Sequence, residues 1–183
     1  MTKDERVNMQ IGNVRALTQA INTAVSNGAS TNFDSNSILE AIVKAAQAAF
    51  MTEVTDGKKS GTEIIDCEAL ISPWKKEGQA GDGIHPVGEV CAHDGQIWKC
   101  CQEHNTNNNP DIEPGKNPAH WVPYHTKDPK KAKPFVQPTM AEDAYYKDEV
   151  CLWEDGKVYR SILEAANTYS PADYPAGWQL ETE

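Results

Sequence analysis

The chain has 183 residues, a length that suits two or three small domains. Its 27 acidic and 17 basic side chains give a formal net charge of −10, which argues against non-specific binding to nucleic acid. No apolar stretch reaches the length of a membrane span. From the charge we expect no nucleic acid as a partner, and from the hydropathy no membrane.

Residues 1–58 are predicted to form a helical segment for anchoring or oligomerisation. Apolar residues from Val7 to Val25 recur at spacings of four and three, interrupted by Thr18, which is typical of a heptad seam. Asn27-Gly28 is a helix stop signal, and an apolar stripe between Ile38 and Phe50 predicts a second helix. Two such helices have too little core alone. We expect them to associate in a homo-oligomer, with a trimer favoured, or on a larger partner; alternatively they fold back on the rest of the chain.

The rest of the chain contains one motif twice. Glu-Val-Cys occupies positions 89–91 and again 149–151, a separation of 60 residues, and Asp-Gly follows each copy at 94–95 and 155–156. Each Asp-Gly is flanked by short runs of alternating apolar residues, which predicts a tight β-hairpin. The sequence therefore predicts an α+β chain with two small antiparallel β modules at 62–126 and 133–183. Residues 62–71 fit either a strand or a short helix, and 125–133 is predicted to be a solvated linker.

The second copy carries the clearest resemblance to a known family. It opens with Ala144-Tyr145-Tyr146-Lys147-Asp148-Glu149-Val150, turns at Asp155-Gly156-Lys157-Val158-Tyr159 and closes at Trp178. This pattern resembles the small chitin- and cellulose-type carbohydrate-binding modules of families five and twelve. It is also similar to modules at the ends of phage and prophage tail and fibre proteins. The resemblance covers roughly residues 72–181 and implies glycan binding without catalysis.

The expected stacking platform of that family is missing. Its adjacent exposed aromatic residues would lie near Gln102-Glu103 and Leu163-Glu164, where neither copy has them. An aromatic face can pack against the C–H face of a sugar. The remaining candidates for glycan stacking share the second copy: Tyr145, Tyr146, Trp153, Tyr169 and Tyr174. Strand alternation places Trp153 away from Leu152, so we expect it to be exposed, whereas Tyr145 and Tyr174 fit a core role equally well.

No catalytic motif is recognisable, and we expect no enzyme activity and no cofactor. There is no phosphate-binding loop, dinucleotide fingerprint or nucleophile elbow. Imidazole and thiolate groups are good zinc ligands, and all five histidines lie in the first copy beside several cysteines. The residues that could approach one another there are Cys91, His93, Cys100 and His104. Their spacing matches no zinc knuckle, so we expect no metal.

These observations favour a non-catalytic phage or prophage virion protein, in a tail, a fibre or a capsid decoration. It would bind a glycan or cell-surface polysaccharide, contact other virion proteins, and be assembled in the bacterial cytoplasm, because the N-terminus lacks a secretory signal and the five cysteines fit a reducing compartment. Two alternatives remain open: a purely structural virion assembly protein without sugar binding, and a targeting fragment of a glycan hydrolase.

Overall fold

A computed structural model of the chain describes the backbone of residues 35–182 and the side chains from residue 40 onward. These residues have an α+β fold with one main helix and small sheets. The chain divides into two compact units, residues 1–44 and 45–183. The predicted heptad seam from Val7 to Val25 and the stop signal at Asn27-Gly28 lie outside the described residues.

The described elements are two α-helices and nine short strands. The helices are α1 (Ser35–Thr55) and α2 (Gly61–Asp66), with 3₁₀ turns at Glu68–Leu70, Pro129–Lys131 and Pro175–Gly177. The strands are β1 (Ile84–His85), β2 (Val90–His93), β3 (Gln96–Cys100), β4 (His104–Asn105), β5 (Trp121–Pro123), β6 (Lys133–Pro134), β7 (Val150–Leu152), β8 (Val158–Ser161) and β9 (Trp178–Leu180). They form sheets in the orders β1-β4, β2-β3-β5 and β6-β7-β8-β9. All pairings are antiparallel except that of β6 with β7, which is parallel.

Helix α1 corresponds to the predicted second helix, and its last turns reach a core. We call residues 84–126, with β1–β5, the first β segment and residues 133–182, with β6–β9, the second. Phe50 and Val54 are buried against α2 and the first β segment. Further up the helix, Gln47 anchors the same side by donating from Nε2 to the Leu70 carbonyl at 2.7 Å. Ile42, within the predicted apolar stripe, is exposed. No described helix has the combination of length and apolarity that crossing a membrane requires.

The segment that fitted either a strand or a short helix begins as a helix. A capping box starts α2: Ser60 Oγ accepts from the Glu63 N–H at 3.3 Å, and Glu63 Oε2 accepts from the Ser60 N–H at 3.0 Å. Such reciprocal bonds satisfy two amide donors that a helix N-terminus otherwise leaves unpaired. The cap therefore decides this ambiguity, and it orients the fully buried Ile64 and Ile65 into the core.

Both predicted hairpins are present, and each inner strand is covered on two sides. In the first hairpin β2 pairs with β3, and in the second β7 pairs with β8. Val90 packs in the core that contains the α1 and α2 residues, whereas its neighbour Cys91 lies in a separate aromatic core with Trp98 and Trp121. Alternate side chains of a strand point to opposite faces, so two consecutive buried residues mean that β2 is sandwiched between two cores.

The segment predicted to be a solvated linker is instead bound to its neighbours at both ends. His125 and Thr126 are buried, and the Thr126 carbonyl accepts from the Val150 N–H at 2.8 Å. Further along, the Lys127 N–H donates to Thr62 Oγ1 at 2.9 Å, and Lys133 forms an ion pair with Glu68. The linker prediction is therefore wrong for these residues, because backbone pairing and ion pairs hold them, and such contacts leave no mark on composition.

We predict that His125 makes the fold acid-sensitive. Its ring stacks on Tyr145 with centroids 3.7 Å apart, and Nε2 donates to the Asp143 carbonyl at 3.0 Å. Burial lowers the pKa of His125 to about 4. A neutral histidine with a lowered pKa in the folded state stabilises the fold fully above its unfolded pKa, near 6.5. This contribution to the free energy of unfolding is lost as pH falls from 6.5 to 4 and amounts to about 3 kcal/mol. Stability measured by urea unfolding should fall across this window.

His125→Phe keeps a stacking ring but removes the titrating group, so its stability should depend less on pH between 6.5 and 4 than that of the wild type. His93→Gln, which changes a half-buried ring elsewhere, should leave the acid dependence in place. Parallel pH profiles for the wild type and His125→Phe would contradict the assignment.

Candidate functional site

The five aromatic residues singled out in the second copy fall into three different environments. Tyr145 is 1% exposed and belongs to the core with Cys151 and Trp178. Its hydroxyl accepts from the Val136 N–H at 3.1 Å, and its backbone pairs with Asn167 in both directions. Burial raises the pKa of Tyr145, so the phenol stays neutral. The structure therefore places Tyr145 in the core, where a ligand cannot reach it.

Trp153 is half-buried, which corrects the expectation that it is exposed. Its ring meets Phe135 edge-on at a centroid distance of 4.9 Å. Its backbone N–H donates to the Lys157 carbonyl at 2.9 Å and closes the hairpin. Leu152, expected on the core side, is instead 37% exposed. Strand alternation holds here, but both faces of the strand are covered near its start: Val150 is buried on one face, and Cys151, two residues before Trp153, is buried in the aromatic core on the other.

Tyr169 and Tyr174 form an exposed pair. Their rings are 57% and 42% exposed, with centroids 5.6 Å apart and planes inclined at 58°. We call these two residues the tyrosine pair. Two neighbouring aromatic faces that are open to solvent offer a broad, amphipathic contact surface. This arrangement is the closest that the described residues come to the aromatic platform that the repeat lacks near Leu163-Glu164.

A network of buried polar groups holds the loop that carries the tyrosine pair. Asn167 is fully buried; its Oδ1 accepts from the Tyr169 N–H at 3.2 Å, and its Nδ2 donates to the Gly177 carbonyl at 3.2 Å. The indole of Trp178 donates to the Tyr169 carbonyl at 3.1 Å. These bonds tie both ends of the loop to the aromatic core, so the pair is positioned by rigid structure.

The middle of the loop is closed by a short polar turn. Ser170 Oγ donates to Asp173 Oδ2 at 2.7 Å, and the Asp173 N–H donates back to Ser170 Oγ at 3.0 Å. A Cβ at Gly177 would lie 2.8 Å from Cδ1 of Tyr174 and 3.3 Å from Asn167 Nδ2, so any larger residue there would displace the Tyr174 ring. The Tyr174 ring therefore lies directly over a glycine, which fixes its place next to Tyr169.

Tyr146 occupies a third environment, apart from the core and from the tyrosine pair. Its ring is 47% exposed and lines a cleft of about 440 Å³ between the two β segments. Carboxylates lie close by: Glu142 and Glu149 line the same cleft, and burial raises the pKa of Glu149.

The residues weighed as metal ligands in the first copy do not converge on one point. Cys100 Sγ and His104 Nδ1 are 3.9 Å apart, but that nitrogen also lies 3.0 Å from the Gln102 carbonyl. Cys91 lies in the same apolar core as Cys100, and His93 packs edge-on against Trp74 at 5.0 Å. Among the described residues no group of three or more such side chains could hold a metal ion. Burial raises the pKa of the Cys100 thiol to about 12, which keeps it protonated.

The structure also contains a buried pair that sequence reasoning missed. His85 Nδ1 donates to Glu89 Oε2 at 3.0 Å, and both side chains are almost completely buried. The signal in the sequence is a proline: Pro86 stands 60 residues before Tyr146, at the corresponding position of the repeat. In the second copy the Tyr146 N–H donates to Glu149 Oε2 at 2.7 Å. Pro86 has no N–H and cannot bond Glu89 in this way. Glu89 therefore turns to His85. Desolvation raises the pKa of Glu89.

No protein-family model matches this chain, and no curated protein matches it.

We predict that Trp153 and Tyr169 respond differently to truncation. Trp153→Ala removes a ring packed on Phe135 and should lower stability by roughly 1–2 kcal/mol, less than the ~3–5 kcal/mol of a fully buried tryptophan. Tyr169→Ala removes a mostly exposed ring and should change stability by less than about 0.5 kcal/mol. Melting curves followed by circular dichroism measure both. Equal melting temperatures for the two variants would mean that the Phe135 contact contributes nothing.

Proposed function

We propose that this chain is a non-catalytic protein that binds glycan through the tyrosine pair. The observation that carries the proposal is the exposed, rigidly supported arrangement of Tyr169 and Tyr174, 5.6 Å apart. A sugar ring has an apolar C–H face and a polar rim, and an aromatic surface with nearby hydroxyls suits both. The exposed carboxylate of Asp173, fixed by Ser170, adds an acceptor beside the rings.

We further propose that residues 62–126 and 133–183 are two divergent copies of one carbohydrate-binding-like module. Recurring backbone bonds support this. Gly88 N–H donates to the Cys100 carbonyl at 2.8 Å, and Asp148 N–H donates to the Ser161 carbonyl at 2.9 Å. Both residues have positive φ, 88° and 71°. The entry residue also recurs: Trp74 N–H donates to the Ala92 carbonyl, as Phe135 N–H does to Leu152.

The setting that we propose is a phage or prophage virion, in a tail, a fibre or a capsid decoration, assembled in the bacterial cytoplasm. The support is the similarity of the Gln137–Trp178 stretch to modules at the ends of phage tail and fibre proteins, together with a helical segment before the modules. Other virion proteins and a cell-surface polysaccharide would be its partners.

The second candidate function is virion assembly without sugar binding. Large apolar side chains exposed on the second segment favour it: Leu152, Ile162 and Leu180. A protein contact would bury such residues, whereas a glycan would leave them in water. The two functions predict different consequences for the tyrosine pair.

Retention on insoluble polysaccharide tests the glycan proposal. The full chain is incubated with chitin, cellulose and purified peptidoglycan, and the bound fraction is measured. Tyr169→Ala and Tyr174→Ala should each weaken retention by about 1–3 kcal/mol, the scale of losing a binding anchor. Ile162→Ala, an equally exposed residue of the same segment, is the control and should bind as the wild type does. If the wild type binds none of the three polymers, the assembly function is favoured.

Association through the helical segment is a separate expectation. Replacing Val14 and Ile21 with Asp would place charges in the predicted heptad seam, at a cost of several kcal/mol for each uncompensated site. Light scattering should show an oligomer, with a trimer favoured, for the wild type and a monomer for the double variant. A monomeric wild type would exclude self-association through this seam.

A further inference from the structure

A second candidate ligand site lies in the cleft between the two β segments. Its volume of about 440 Å³ is within the range of small-molecule sites, roughly 300–1,000 Å³. Lys99 and Tyr124 line it from the first segment, and Glu142, Tyr146 and Glu149 line it from the second. The cleft therefore combines aromatic rings with a hydrogen-bond donor and acceptors, and it exists only where both segments are present.

Tyr146 is held at its backbone and at the tip of its ring, although the side chain is half-exposed. At the backbone, its N–H donates to Glu149 Oε2 at 2.7 Å, and at the tip its hydroxyl donates to the Ala141 carbonyl at 3.2 Å. A ring fixed before binding loses little conformational entropy when a ligand packs against it. Tyr146 is thus a preformed part of the cleft wall.

Charged groups of both signs line the cleft. Lys99, which β3 presents to solvent, can donate, and the exposed Glu142 can accept. A ligand with neither strong positive nor strong negative charge but with several hydroxyls satisfies such a site better than an ion does. An aromatic wall with mixed polar edges is the chemistry that recognises a sugar ring.

The first copy has a corresponding turn, beside which a cleft lies that lacks the tyrosine ring. Pro86 replaces Tyr146 there, and the cleft beside it, of about 530 Å³, is lined by Met51, Ile84 and Val87 together with the turn. That cleft has polar residues in its wall as well, among them Gln79 and Asp82, but no aromatic ring lines it. It serves as an internal comparison, because the turn has the same backbone hydrogen bond from the glutamate N–H and the aromatic ring is absent.

We propose that the Tyr146 cleft is a second glycan subsite, which holds one sugar ring against Tyr146 with Lys99 and Glu142 at its edge. This inference rests on the proposed glycan binding by the tyrosine pair. Its consequence is two binding positions on one chain. A polysaccharide repeats the same unit many times, so two positions raise retention on a polymer through effective concentration more than they raise affinity for a short oligosaccharide.

The test is calorimetric titration of the full chain with two soluble probes, the N-acetylglucosamine trimer and cellotriose. The wild type should bind two trimers of one of them per chain. Tyr146→Ala should bind one, and Tyr146→Phe, which keeps the ring, should bind two. Val87→Ala in the cleft of the first copy is the matched control and should bind two. Retention of Tyr146→Ala on the matching polymer should fall at least tenfold.

The outcomes separate the two proposals. One trimer per chain for the wild type, lost in Tyr174→Ala and unchanged in Tyr146→Ala, would overturn the subsite and leave the tyrosine pair standing. No binding of either trimer would overturn both. If Tyr146→Ala melts at a lower temperature than the wild type, the double variant Lys99→Met, Glu142→Gln replaces it, since both side chains are exposed; unchanged stoichiometry in that variant would overturn the subsite.

Discussion

The double burial of one short strand in each β segment determines the rest of the structure. In the first segment Val90 belongs to the core made by α1 and α2, and Cys91 belongs to the core made by Trp98 and Trp121. A two-stranded hairpin alone is marginal in water. Because β2 is covered on both faces, its hairpin becomes the layer that joins a helical core to an aromatic core, and neither core is complete without it.

The second segment has the same arrangement, and its inner strand β7 packs partly on the first segment. Val150 is buried where its strand pairs with Thr126, and Cys151 lies in the core with Tyr145 and Trp178. The first segment thus takes the position that the helices hold for Val90. Val136 extends the coupling by packing on the aromatic core of the first segment. The two copies are alike in sequence but pack on different neighbours, the helices for the first and the first segment for the second.

Sequence reasoning identified the elements of this fold better than their surroundings. The hairpins followed from Asp-Gly turns and period-two runs, both of which are local signals. Double burial is not local: alternation says that Val150 and Cys151 point to opposite faces, and it does not say that both faces are covered. Trp153 was therefore expected in solvent, although it packs on Phe135. The pairing of Tyr169 with Tyr174 was missed for a similar reason, because it depends on a turn closed by Ser170 and Asp173.

Coverage of the strands on both faces also limits where a ligand could bind. A sheet face that is already packed against a core cannot present aromatic residues to a polysaccharide, and Tyr145 shows this, since its ring is enclosed between His125 and Phe135. Exposed rings are left to the connections. One is the loop that carries the tyrosine pair, fixed through Asn167; the other is the turn that carries Tyr146, fixed through Glu149. In both, a buried or half-buried polar side chain holds the backbone, so the core can stay closed while the connections carry the surface chemistry.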